Sequence, residues 1–76
     1  MNRIRRKKLE RIADQIEILM RELEQVQNEE EEAFDNLPEG FQCSDRGAEM
    51  EEAIEKMEEA WDALGDVEDA IRELSF

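Results

Sequence analysis

Asn36-Leu37-Pro38-Glu39-Gly40 is the one interruption in a chain otherwise built from good helix formers. Pro38 has no backbone N–H and disfavours helical geometry at Leu37, while Gly40 accepts the positive φ that a chain reversal needs. A few residues on, Ser44 or Asp45 can cap a second helix by accepting a bond from its unpaired first-turn N–H groups. The spacing predicts a turn over about 36–44, with one helix over about 3–35 and another over about 45–74.

Working outward from the turn, each flank repeats apolar residues at intervals of three and four. With Leu9 at heptad position a, the a series before the turn is Leu9, Ile16, Leu23, Glu30 and Leu37, and the d series is Ile12, Leu19, Val26 and Ala33. After it, the a series is Met50, Met57, Leu64 and Ile71, and the d series is Ala53, Ala60, Val67 and Leu74. Only Glu30 is polar, and neither flank alternates with period two as a strand would. Helices of these lengths are each about 45 Å long at 1.5 Å per residue, so they can lie side by side throughout. Antiparallel pairing of a with d then gives eight consecutive layers: Leu9–Leu74, Ile12–Ile71, Ile16–Val67, Leu19–Leu64, Leu23–Ala60, Val26–Met57, Glu30–Ala53 and Ala33–Met50. The expected fold is all-α, an antiparallel two-helix coiled-coil hairpin, with residues 1–76 forming a single helical-hairpin domain.

Charge favours the same arrangement. The start of the chain holds Arg3, Arg5, Arg6, Lys7, Lys8 and Arg11, whereas its end holds Asp62, Asp66, Glu68, Asp69 and Glu73 against Arg72. Folding back is expected to set the basic start beside the acidic end, and Lys56 beside Glu29 and Glu30. Each exposed pair contributes at most about 1 kcal/mol, so such pairs choose orientation more than they supply stability.

The helices carry more apolar surface than an a/d seam uses. Ala13, Met20, Phe34, Ile54 and Trp61 fall at e positions, on one side of that seam. Burying a large apolar side chain is worth roughly 1.5–3 kcal/mol, so this flank is the expected partner or dimer interface. The commonest solution is a twofold homodimer, two hairpins forming a four-helix bundle. Another protein is the other candidate occupant. Gly65, at an outward b position, reads as a weak point costing about 1 kcal/mol relative to alanine.

Composition narrows the function. The 76 residues include 23 acidic and 10 basic side chains, a net charge of −13, one cysteine and no histidine. That removes an imidazole base, a His-activated nucleophile and any His-containing zinc site. No Glu-x-x-His motif or alternating Asp loop marks a metal site. The expectation is a protein that is not an enzyme, with no catalytic, cofactor or metal residues and no cofactor. A single cysteine, Cys43, argues against a disulfide framework and for a cytoplasmic location. The basic start is followed by Glu10, Arg11, Asp14 and Glu17 rather than an apolar run, so neither a signal peptide nor a membrane partner is expected.

Glu51, Glu52, Glu55, Glu58, Glu59, Asp62, Asp66, Asp69 and Glu73 occupy b, c and f positions of the second helix and form a continuous acidic surface. Three readings apply: a face that keeps a small passive structural dimer in solution, a mimic of nucleic acid, or weak cation binding. For the second, carboxylates at i,i+3 and i,i+4 lie about 5–6 Å apart, close to the spacing of successive phosphates. Such a stripe suits the basic groove of a DNA- or RNA-binding protein, and it excludes direct nucleic-acid binding. Phe34, Leu37 and Phe41 are expected to cluster and close the turn.

Glu29-Glu30-Glu31-Glu32-Ala33-Phe34-Asp35-Asn36-Leu37-Pro38-Glu39-Gly40-Phe41-Gln42, followed by Ser44-Asp45-Arg46-Gly47 and Met50-Glu51-Glu52-Ala53-Ile54, resembles small acidic helical proteins of phages and mobile elements of Gram-positive bacteria. The resemblance carries no activity and no site residue. It implies a context in which small proteins bind or retarget host machinery, including defence nucleases. The expected function is a protein-interaction or assembly module whose partner is itself or another protein. The alternative is a nucleic-acid-mimic inhibitor, and a passive structural dimer is the second alternative.

Overall fold

The computed structural model describes residues 2–74. Helix α1 spans Arg3–Asp35 and helix α2 spans Asp45–Leu74; there is no strand among the described residues. The two helices run antiparallel in contact, forming a hairpin rod of 58 × 14 × 12 Å. Asn2 caps α1: its side-chain oxygen accepts from the Arg5 N–H at 2.8 Å.

The reversal is built from local bonds. α1 ends as the Asn36 N–H donates to Glu32 O and the Leu37 N–H to Phe34 O. Gly40 takes φ +91°, a conformation that L side chains rarely adopt. The Phe41 N–H then donates back to Pro38 O, and the Gln42 side-chain amide to Phe34 O at 3.2 Å. Ser44, rather than Asp45, caps α2: its hydroxyl accepts from the Gly47 N–H at 3.3 Å and donates to Phe41 O. Phe34 and Leu37 are half-buried at this end, whereas Phe41, expected to pack with them, stays 54% exposed.

The seam differs from the expected a/d geometry. Ala13 is fully buried and Met20 nearly so, both at e. Around them Leu9, Ile16, Leu23 and Phe34 of α1 face Met50, Ile54, Met57, Trp61, Leu64 and Ile71 of α2, all half-buried. Those are a and e positions. The d residues Ile12, Leu19, Val26, Val67 and Leu74 are instead 42% to 56% exposed. The apolar stripe is a, d and e wide, whereas a single neighbouring helix covers only about two of those three rows. The e row holds Met20, Phe34, Ile54 and Trp61, while α2's d row begins with two alanines, so turning e inward buries the larger apolar area.

Small residues set how closely the elements approach. Gly47 is buried at the e position where α2 meets the turn; a Cβ there would overlap the Gln42 carbonyl and stand 2.7 Å from Phe41 O. Gly65 is half-buried rather than outward, and a Cβ on it would meet only the Met20 methyl, at 3.3 Å. Met20 is flexible, so Gly65→Ala is expected to stabilise by about 0.5–1 kcal/mol through helix propensity. A thermal melt checks this; a fall in Tm refutes it.

Candidate interaction surface

Turning one helix end for end reverses the sense in which its heptad winds. Equal heptad letters in an antiparallel pair therefore lie on the same side of the hairpin. With a and e in the seam, the d rows of both helices share one broad face. That face presents Ile12, Leu19 and Val26 from α1 beside Val67 and Leu74 from α2, with exposed Ala60 on the same d row and exposed Ala63 and Ala70 on the g row beside it.

Of the five e residues expected to meet a partner, Ala13 and Met20 are buried within the hairpin, and Phe34, Ile54 and Trp61 are half-buried. The large apolar side chains left most exposed along the hairpin include the d residues Ile12, Leu19, Val26, Val67 and Leu74. Trp61 lies in a shallow groove with Glu24, Gln27, Asn28, Glu58 and Asp62. Its indole N–H is out of contact with solvent and has no hydrogen-bond partner among the described residues. Such an orphan donor costs about 1–3 kcal/mol and partly offsets what the ring contributes.

The opposite side of α2 is acidic. Glu51, Glu52, Glu55, Glu58, Glu59, Asp62, Asp66, Asp69 and Glu73 are all exposed there. Among the described residues, no group of three or more acidic or cysteine side chains is arranged to hold a metal ion. No helix among them is long and apolar enough to cross a membrane. Cys43 is an exposed free thiol in the turn.

Arg72 ties the open end together. Its Nε donates to Glu68 at 2.8 Å, and its Nη2 reaches both Asp14 and Glu17 at 3.1 Å. The Glu68 hydrogen bond, then that of Asp14, raises the guanidinium pKa above its ordinary value. A folded-state pKa raised this way gives stability that is fully present below the unfolded value and lost only as pH rises through the folded one. For an arginine that window lies far above neutrality, so Arg72 stays charged across ordinary working pH.

This tie also fixes the level of α2 against α1, and there the expected charge pairing fails. Leu74 ends about 3 Å past Arg72, whereas Lys8 stands about 9 Å before Asp14 at 1.5 Å per residue. The first turns of α1 therefore project beyond the last described turn of α2. Among the described residues, none of Arg3, Arg5, Arg6, Lys7, Lys8 and Arg11 makes an ion pair with α2. Lys56 pairs with Glu52 on its own helix at 3.2 Å, not with Glu29 or Glu30.

Fold and surface together define an antiparallel helical hairpin with one apolar flank, one acidic side and a basic start to α1. Comparison with known protein families, curated proteins and solved structures finds no match.

Proposed function

We propose that the protein is a non-enzymatic interaction and assembly module that docks through its d flank. The observation carrying this reading is the row of five large apolar side chains, 42% to 56% exposed, on one face of a rod. Contiguous exposed apolar surface of this kind is the usual mark of a protein–protein contact. A covering helical surface would complete the a/d/e stripe as a bundle does. The phage or mobile-element context implied by the resemblance would place a foreign partner among host proteins.

A second reading, nucleic-acid mimicry through the acidic side of α2, draws support from the nine exposed carboxylates opposite the apolar flank. Capture from lysate with paired variants separates the two. The docking reading expects a complex lost with Leu19→Glu/Val67→Glu but kept with Glu55→Gln/Glu58→Gln/Glu59→Gln and in the presence of added DNA. The reverse pattern, with loss at high salt, overturns it in favour of mimicry.

A further inference from the structure

We propose that the occupant of the d flank is a second copy of this chain, laid across it antiparallel so that the two turns point in opposite directions. This rests on the docking reading above and names its partner. Three observations carry it.

The first is symmetry. A twofold contact requires the face to match itself when reversed end for end. The Met20 methyl lies against Gly65, which places Leu19 near the level of residues 66 and 67. About that level Ile12 and Val26 are equally spaced on α1, as are Ala60 and Leu74 about Val67 on α2. Ala63 and Ala70 fall just as evenly about the same point. An axis crossing the rod there stacks Leu19 on Leu19 and Val67 on Val67, Ile12 on Val26, and Ala60 on Leu74. The alanines let the two α2 helices approach closely.

The second is charge. Residues 29–56 at the turn end carry eleven acidic side chains against Arg46 and Lys56, while the start of α1 carries six cations that make no ion pair with α2 among the described residues. Arg5 and Lys8 lie on the d and g rows of the flank, as Glu29 does, with Glu32 at its edge. Reversal about Leu19 brings Lys8 within one residue of the level of Glu29, and Arg5 within one residue of the level of Glu32, of the other copy, twice over. The competing twofold, along the rod, would stack both acidic turns together.

The third is area. A compact monomer of this mass exposes about 4,900 Å², and this chain exposes 5994 Å². The surplus of roughly 1,100 Å² compares with about 800 Å² that each partner contributes to a stable interface.

Sedimentation equilibrium is expected to give twice the chain mass of 9.0 kDa. Arg5→Glu/Lys8→Glu should raise the dimer Kd about tenfold or more, and adding Glu29→Lys/Glu32→Lys on the same chain should restore it. In a Cys43→Ser background, Leu19→Cys should form a covalent dimer on mild oxidation, because only the crosswise axis sets the two Leu19 backbones within disulfide reach. That variant keeps the proposal testable even where a charged residue on the flank unfolds the chain. A folded monomer at 100 µM overturns the second copy and leaves the flank to another protein. A dimer that cross-links only when Leu19→Cys is combined with Val67→Cys overturns the antiparallel arrangement.

Discussion

Gly47→Val is expected to cost about 2–4 kcal/mol and to leave much of the protein unfolded at 25 °C, since a core of this size rarely supplies more than about 3–5 kcal/mol. The reason is position rather than backbone freedom. Gly47 is helical, three residues inside the Ser44 cap, where the backbone of Phe41 and Gln42 folds over the first turn of α2. A Cβ would have to displace main-chain carbonyls rather than a side chain. Moving them breaks the bonds that close the turn: Ser44 N–H and hydroxyl to Phe41 O, and the Gln42 amide to Phe34 O.

Gly65 makes the contrast. Both glycines lie inside α2, and at both alanine gains about 1 kcal/mol of helix propensity. At Gly65 the obstacle is the end of a methionine, which moves; at Gly47 it is backbone, which does not. Alanine substitutions of similar local chemistry should therefore shift stability in opposite directions. Urea unfolding followed by circular dichroism measures both. A Gly47→Val protein melting within about 3 °C of wild type would mean that the turn does not rest on α2.

The helices and their break were legible because they depend on local chemistry. Heptad spacing, Pro38, Gly40 and a capping residue each act within a few positions of themselves. The seam was less legible, because a stripe covering a, d and e states that three rows are apolar and not which two will face one neighbour. The deciding quantity was the bulk of the e row, with Trp61, Phe34, Ile54 and Met20, against alanines in the d row of α2. That comparison can be made from residue sizes alone, and it outweighs the regularity of an unbroken a/d repeat. Seating Gly47 under the turn needed three-dimensional contact, since its heptad letter gives no hint that two carbonyls lie above it. The placing of charge failed for a related reason. Opposite charges at the open end looked adjacent until the level of the helices set the first turns of α1 beyond the last described turn of α2.

Trp61→Ala and Leu19→Ala should rank in the order that the a/e seam dictates, opposite to the order of an a/d coiled coil. Trp61 is half-buried between the helices, and its truncation is expected to cost about 2–4 kcal/mol, below the value for a fully buried aromatic because an unpaired indole N–H goes with it. Leu19 is 53% exposed in the hairpin, so at about 1 µM protein its truncation should cost under about 1 kcal/mol. At about 100 µM the two differ again. A partner that binds only the folded chain adds stability that grows with concentration. Removing Leu19, which sits on the proposed axis, should forfeit that gain, and the cost of Leu19→Ala should rise while the cost of Trp61→Ala within the hairpin persists at both concentrations. Urea titrations at the two concentrations test both halves at once. A larger loss from Leu19→Ala than from Trp61→Ala in the dilute sample would return Leu19 to the seam and overturn the a/e arrangement. A Leu19→Ala cost that is the same at both concentrations would remove the second copy from the d flank.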